Sequence, residues 1–251
     1  MADGTARIVY VGHATVLVEL DGMRLLTDPL LRRRVTHLRR LGTLDPEPLH
    51  DIDVVLLSHL HFDHLDLPSL RRLGRKIPLF VPRGAAGLLR RLGFRAVTEI
   101  GAGDELEIGP LTIRGTRAVH PSARVPVLGA RADPIGHLIL GSRSVYFAGD
   151  TDVFDELASL APVDVALLPV AGWGSSLGPG HMDPRRAAEA ARLLRASIAI
   201  PIHWGTYSPM QLARGAAVDL DKPATDFVRH AQELAPGVDV RVLRPGEETA
   251  L

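Results

Sequence analysis

The chain has 251 residues, 46% of them hydrophobic, and 29 basic residues balance 29 acidic ones. We expect a single domain over residues 1–251, since α/β chains of this size are often undivided and this apolar fraction fills a sizeable core. The absence of cysteine excludes disulfides, thiolate metal ligands and a cysteine nucleophile. No apolar run approaches the roughly 20 residues that span a bilayer, and no signal peptide is evident, which predicts a cytoplasmic location. Zero net charge gives no general attraction to nucleic acid or anionic membrane.

Strands and helices alternate along the chain without an obvious linker, which indicates an α/β fold. Asp21-Gly22 reads as a hairpin turn, and Asp183 and Pro184 read as the N-cap and first residue of a helix. The predicted strands are 8–11, 15–20, 23–27, 53–58, 111–119, 135–140, 145–148, 198–202 and 238–243. The predicted helices are 68–73, 84–92, 153–160, 184–195 and 223–234.

The segment 59–64, His-Leu-His-Phe-Asp-His, follows the apolar strand 53–58 directly. Side chains just past the C-terminal end of such a strand lie where α/β sheets place their sites. In an extended turn, His59 and His61 face one side and hold one ion, whereas Asp63 and His64 turn toward a second. Imidazole and carboxylate suit Zn²⁺, Mn²⁺ or Fe²⁺. A polar surface turn that is merely rich in histidine is the weaker interpretation.

This segment resembles the HxHxDH signature of the metallo-β-lactamase-fold hydrolases. The family pattern then expects a histidine after a later strand, an aspartate after another and a histidine near the C-terminus. His120, Asp150 and His203 meet these expectations in order. The resemblance implies a four-layer αββα sandwich of the metallo-β-lactamase type.

Further motifs are similar to one subgroup, the N-acyl-phosphatidylethanolamine phospholipase D-like and ascorbate-phosphate lactonase-like proteins. The likeness extends from about residue 8 to residue 227. Because the superfamily hydrolyses lactones, phosphodiesters, thioesters and β-lactams on one scaffold, it leaves the substrate open. The motifs are Gly12-His13-Ala14-Thr15, Leu25-Leu26-Thr27-Asp28-Pro29, Phe147-Ala148-Gly149-Asp150-Thr151, His181-Met182-Asp183-Pro184 and His203-Trp204-Gly205-Thr206.

The resemblance also implies a dinuclear metal centre, with zinc favoured over manganese or iron. A metal-bridging hydroxide would attack the carbonyl or phosphoryl group of the substrate. Asp63 would also orient this hydroxide, which gives it a catalytic role. The implied ligands are His59, His61 and His120 for one ion, Asp63, His64 and His203 for the other, and Asp150 as the bridge.

Three further residues are expected to act beside the ligands. His181 follows the glycine-rich loop 172–180, and we predict that it protonates the leaving group or holds an oxyanion, the alternative being that it orders the loop. Asp28 is expected to accept the N–H of a metal-bound imidazole, the alternative being a turn residue before Pro29. His13 is equally balanced between contact with the site and hairpin packing.

Two segments are candidates for shaping substrate choice. Arg32, Arg33 and Arg34 with Arg39 and Arg40 would suit an anionic substrate, although a solvated helix face is the favoured interpretation. The loop 124–134 is long enough to border the pocket. His137, on the strand 135–140, is expected to be packed or exposed rather than a ligand. Trp173, Trp204 and Tyr207 are expected either to form aromatic walls of the pocket or to belong to the core.

The sequence therefore predicts a dinuclear hydrolase, a lactonase or phosphodiesterase type of enzyme, acting on a small ester, lactone or phosphodiester. An iron-dependent oxidoreductase on the same fold is the first alternative, and a non-catalytic metal-binding regulatory protein is the second. The expected partner is a small-molecule substrate, with neither nucleic acid nor membrane, and homo-oligomerisation stays open.

Overall fold

The computed structural model describes residues 6–46, 49–122, 130–171, 178–209 and 219–251. The strands in these residues are β1 Arg7–Gly12, β2 Thr15–Leu20, β3 Met23–Thr27, β4 Arg34–Val35, β5 Leu38–Arg40, β6 Val54–Leu56, β7 Leu79–Pro82, β8 Val97–Ile100, β9 Glu105–Ile108, β10 Leu111–Arg117, β11 Ile135–Leu140, β12 Ser144–Phe147, β13 Val165–Pro169, β14 Ile198–Ile202, β15 Tyr207–Pro209, β16 Asp239–Val240 and β17 Glu248–Ala250. The helices are α1 Leu67–Leu73, α2 Ala86–Arg91, α3 Pro184–Leu193 and α4 Lys222–Leu234, with a 3₁₀ helix at Asp155–Leu160.

Two seven-stranded sheets form the body of the fold. The first has the order β17-β1-β2-β3-β6-β7-β8, and the second has the order β16-β14-β13-β12-β11-β10-β9. Each sheet has an antiparallel half and a parallel half, the latter being β3-β6-β7-β8 in the first and β12-β13-β14-β16 in the second. Loops that follow the parallel strands therefore emerge at one edge of each sheet, which is where α/β sheets build sites.

The alternation of side chains along the strands produces the layers. In β1 and β2, Ile8 and Val16 belong to the large core that also contains the second sheet, whereas Val9 and Leu17 belong to a separate core with Leu70 of α1. Successive side chains of a strand point to opposite faces, so the first sheet is covered by the second sheet on one face and by α1 and α2 on the other. The alanine-rich face of α3 joins the large core beside α4. The predicted αββα sandwich is confirmed.

Several element predictions need correction. The predicted helix 153–160 is only a short 3₁₀ helix at Asp155–Leu160, because Phe154 is extended and Pro162 disfavours helical backbone at the preceding residue. The predicted strand 238–243 is reduced to Asp239–Val240. The backbone N–H of Asp239 bonds to the carbonyl oxygen of Ser197, and that of Arg241 bonds to Ala199 on β14. The next residue of β14 on that edge is Pro201, which has no N–H to offer.

The arginine-rich segment 32–40 does not form a helix face. It forms the β4–β5 hairpin, which pairs with β15 in a third, three-stranded sheet, and Thr36 at the turn has a left-handed φ of +48°. Arg32 is bound to Asp66 at 2.6 Å, and Arg40 is buried. Two of the five arginines are therefore structural, whereas Arg33, Arg34 and Arg39 are exposed.

Candidate active site

The predicted ligands come together where loops leave the two sheets. The segment 59–64 follows β6 of the first sheet, and the other three ligands follow β10, β12 and β14 of the second sheet. Gly149, directly before Asp150, has a left-handed φ of +61°, and a Cβ atom there would lie 2.5 Å from Ser58 Cβ. The two sheets meet at this point with no room for a side chain, which brings Asp150 against the histidine-rich segment.

Three imidazoles form one half of the site. His61 Nδ1 lies 3.0 Å from His59 Nε2 and 3.0 Å from His120 Nε2. His120 Nδ1 lies 2.7 Å from the carbonyl oxygen of Gly180, so Nδ1–H donates there and Nε2 keeps its lone pair. Burial and the neighbouring His64 hold the pKa of His59 well below its ordinary value, and burial lowers the pKa of His120 to about 4.

The neutral imidazoles of His59 and His120 suit a divalent cation. Two nitrogens bound tetrahedrally to one Zn²⁺ at 2.0–2.1 Å would stand about 3.3 Å apart, close to the separations in this cluster. We call this cluster, His59, His61 and His120, the open half, because His61 and His120 are only partly buried.

A second cluster contains carboxylates and is more deeply buried. His64 Nε2 lies 3.3 Å from Asp150 Oδ2, and His203 Nε2 lies 3.5 Å from Asp150 Oδ1. Both histidine nitrogens lie 3.9 Å from Asp63 Oδ2. The buried Nε2 of His64 makes no hydrogen bond to the described residues, which is the position expected of a metal-ligating atom. We call Asp63, His64 and His203 the closed half.

The electrostatics of the closed half also fit a cation. Burial disfavours the charged form of Asp150, but His203 and His64 still hold its pKa well below the ordinary value. Burial likewise opposes the charge on His64, but Asp150 and Asp63 raise its pKa well above the ordinary value. The buried Asp150 and the partly buried Asp63 thus favour positive charge between them, which a metal ion would supply in place of a proton.

Asp28 orients His64 from outside the cluster. Its Oδ2 lies 2.8 Å from His64 Nδ1, and its Oδ1 accepts a 2.8 Å hydrogen bond from the backbone N–H of Ser58. The fully buried carboxylate thereby fixes the tautomer that leaves His64 Nε2 facing Asp150. This is the contact that the sequence predicts for Asp28.

His13 lies in the site and not only in its hairpin. Its Nε2 lies 3.2 Å from Asp63 Oδ2, its ring centroid lies 3.9 Å from that of His203, and its backbone oxygen accepts the N–H of His203 at 2.8 Å. Burial and His203 lower the pKa of His13 to about 3, so its neutral ring donates Nε2–H to Asp63. His13, His203 and Asp28 all have a left-handed φ, of +60°, +64° and +30°. Such strain costs roughly 1–3 kcal/mol per residue and tends to cluster at functional sites.

His181 borders the open half. Its Nε2 lies 3.7 Å from Asp150 Oδ2, its ring packs edge-on against His120 at 4.7 Å, and its side chain is 27% exposed. His181 is therefore a solvent-accessible imidazole beside Asp150. Residues 172–177 of the preceding loop, with Trp173, lie outside the described residues, as do residues 123–129 of the second loop.

The aromatic candidates belong to the core. Trp204 stacks on Tyr10 with ring centroids 6.4 Å apart, and Tyr207 is 2% exposed beneath the guanidinium of Arg40. His137 is buried and its Nε2 bonds to the carbonyl oxygen of Leu57, in agreement with packing.

Two contributors escape the sequence argument. Ser58 donates its hydroxyl to Asp28 and lies 3.0 Å from His59 Nδ1. Thr206 accepts the backbone N–H of His13 at 2.8 Å. Ser58 directly precedes the segment 59–64, and Thr206 ends the motif that begins at His203, so their positions in the sequence could have indicated a role. Neither carries a group that ligates zinc well.

Comparisons with known proteins agree with this geometry. The family model of the β-lactamase superfamily domain matches residues 23–204. A metal-dependent hydrolase of Methanopyrus kandleri is 31% identical over 96% of this chain and 98% of its own length. An N-acyl-phosphatidylethanolamine-hydrolyzing phospholipase D of Caenorhabditis elegans is 33% identical over 79% of this chain but only 63% of its own length. The solved metallo hydrolase Igni18 of Ignicoccus hospitalis superposes with a TM-score of 0.72, 25% identity and 98% coverage of both chains.

Among the helices of the described residues, none is long and apolar enough to cross a membrane. The family match covers most of the chain, and the relative from Methanopyrus kandleri spans nearly all of it. The chain therefore belongs to the β-lactamase superfamily, the metal-dependent hydrolases whose fold its paired sheets and outer helices adopt.

Proposed function

We propose that this metal-dependent hydrolase works with two divalent ions, zinc by preference. The open half would hold one ion, the closed half would hold the other, and Asp150 would bind both. The position of Asp150 carries this proposal, because its two oxygens approach His64 and His203 of the closed half. Its carboxylate also groups with His120 of the open half and with His181, with ligand atoms within 4.8 Å of one another.

When bound, two such ions supply a water nucleophile at near-neutral pH and polarise the substrate's carbonyl or phosphoryl oxygen. The chain's own residues would orient the reactants around them. Asp63 receives the N–H of His13 on one oxygen, and this contact would hold its carboxylate in place to orient the attacking water. His181, partly exposed beside Asp150, would give its proton to the leaving group.

We propose a small ester, lactone or phosphodiester as the substrate. The Caenorhabditis elegans relative is named for cleaving the phosphodiester of a phospholipid, which supports phosphodiesters within this range. The accessible imidazole of His181 suits a leaving group that needs a proton, as an alkoxide does at neutral pH.

Metal content of the protein purified without added metal, measured by mass spectrometry, tests the proposal. We expect about two ions per chain in the unmodified protein and about one in His61→Ala, which removes a ligand of the open half alone. His137→Gln is the matched control, because His137 is a buried histidine that bonds to a backbone carbonyl. One ion or fewer in the unmodified protein would overturn the dinuclear assignment. Two iron ions with oxygen consumption would favour an oxidoreductase.

A further inference from the structure

The basic residues are unevenly distributed although the net charge is zero. Residues 67–98 contain eight basic residues and no aspartate or glutamate, so the rest of the chain has 21 basic residues against 29 acidic ones. This stretch includes α1, β7, α2 and the start of β8, and its helices form the outer layer over the first sheet. Its basic residues are Arg71, Arg72, Arg75, Lys76, Arg83, Arg90, Arg91 and Arg95.

Seven of these eight side chains have no acidic partner among the residues that the structure describes. Arg83 pairs with Asp104 at 2.6 Å, whereas the other seven are exposed and form no ion pair with a carboxylate of the described residues. Part of this charge has a local explanation. Two arginines occupy the last turn of α1 and two occupy the last turn of α2, where they complement the helix dipoles. Arg75, Lys76 and Arg95 lie beyond the helices, where the dipole gives little stabilisation.

Four of the unpaired side chains surround one surface depression. Arg75, Lys76, Arg90 and Arg95 line a concavity of about 440 Å³, together with Gly93 and Phe94. The backbone N–H of Arg95 donates to the carbonyl oxygen of Arg75 at 3.2 Å, which joins the two loops. The guanidinium of Arg90 donates to the carbonyl oxygen of Val97 at 2.8 Å.

Gly93 allows these loops to approach closely. Its φ is +88°, and a Cβ atom at this position would lie 3.3 Å from Arg75 Nη1. The fold therefore holds several like charges around a concave surface, an arrangement that Coulomb repulsion opposes unless an anion binds there.

The depression lies away from the metal centre. It is formed by the loops that precede β7 and β8, at the amino ends of these strands. Because β6, β7 and β8 are parallel, the segment 59–64 after β6 lies at the opposite edge of the sheet. A ligand in the depression would not be the substrate at the metals.

We propose that this depression binds a small ligand carrying two or more phosphate groups. Arginine forks match phosphate oxygens in pairs, and a volume of this order is typical of small-molecule sites. A bilayer would need an apolar anchor, but the large exposed hydrophobic residues of the described chain, Leu41, Phe62 and Val242, all lie outside this stretch. Phe94 is 2% exposed, so it gives no platform on which nucleic-acid bases could stack.

Calorimetric titration of the metal-loaded protein with fructose 1,6-bisphosphate, and with glucose 6-phosphate as the single-phosphate comparison, tests this proposal. We expect the bisphosphate to bind at least about tenfold more tightly than the monophosphate, since it engages more of the clustered cations. The double variant R75A/R95A should weaken bisphosphate binding at least about tenfold. The matched variant R71A/R72A removes the same charge outside the depression and should change the affinity less than about twofold.

Equal weakening by both double variants would show diffuse attraction and overturn the proposal. So would loss of binding on chelation of the metals, which would place the phosphates at the metal centre, or the absence of saturable binding up to about 1 mM. Binding only to anionic vesicles or to duplex DNA would also overturn it. Melting temperatures of the four exposed substitutions should match the unmodified protein, which separates lost binding from lost folding.

Discussion

The open and closed halves of the site are built differently, although both contain histidines that follow strands. In the open half, His120 is held by one carbonyl oxygen, and the exposed His181 stands beside it. In the closed half, His64 and His203 are buried, with carboxylates and strained backbone around them. One half is thus exposed to a substrate, and the other is enclosed by the protein.

This difference indicates a division of labour between the halves. Pre-organisation by outer partners raises metal affinity, so we expect the closed half to retain its ion longer during dilution or chelation. Solvent access in the open half would let a substrate reach an ion bound there. Asp150 joins the halves, since it approaches histidines of both.

The largest effect is expected from Asp150→Asn, which removes the shared charge. Neither half then neutralises its ion fully, so both ions should be held more weakly. The loss of kcat/KM should exceed the roughly 10–100-fold that follows from losing an outer partner of a metal ligand. Metal analysis together with a hydrolysis assay checks this. Retention of two ions and of activity would show that the halves act independently of Asp150.

His181→Ala is expected to lower kcat/KM by about 10²–10⁴-fold, the range for a lost proton donor. Metal content should stay unchanged, because His181 is not among the proposed ligands. His181→Gln keeps a hydrogen-bond donor but cannot transfer a proton, so it should be equally impaired if proton transfer matters. Recovery by glutamine would instead indicate a positioning role. A substrate with a good leaving group should be cleaved with a smaller loss.

Asp28→Asn is expected to reduce metal affinity or activity about 10–100-fold. The amide presents either its oxygen or its NH₂ group to His64, and it lacks the charge that holds Nδ1–H in place. The closed half should lose its ion first, which a chelator titration followed by metal analysis would detect. Asp53→Asn serves as the control, because Asp53 accepts a backbone N–H on the surface, away from the site. Equal effects of the two variants would remove Asp28 from the site.

The sequence predicted much of this site and less of its surroundings. His59, His61 and His64 are fixed by a dense local motif after an apolar strand, and Asp150 follows a strand of the same kind, so the structure brings them together as expected. The buried state of Arg40 was not predictable, because a run of arginines gives no sign of which one a distant strand will cover. Arg40 is covered by Tyr207, which lies 167 residues away.

The irregular segments were predicted least well, for identifiable reasons. The helix predicted at 153–160 has too few residues for hydrophobic periodicity to distinguish an α-helix from a 3₁₀ helix. The left-handed backbone of His203 and His13 also has no sequence signature, since histidine adopts that region only when its surroundings impose it. Such strain depends on contacts between distant segments, and the sequence shows it only once the fold is known.

The smallest expected effect concerns pH and the closed half without metal. His13 and His203 have lowered pKa values, mainly because of burial, so the unfolded chain binds more protons than the folded chain once the pH falls below about 6.5. The free energy of unfolding should therefore fall between pH 6.5 and pH 5, with His13 contributing up to about 1.4 kcal/mol per pH unit and His203 adding in the same direction. His64 has a raised pKa, so its contribution is complete below pH 6.5 and is lost only as the pH rises further. Urea unfolding of the chelated protein measures this slope, and His13→Gln should reduce it by up to one proton. An unchanged slope in that variant would mean that the ring of His13 is not buried in its neutral form. The closed half would then be more open to water than the burial of His13, His64 and His203 indicates.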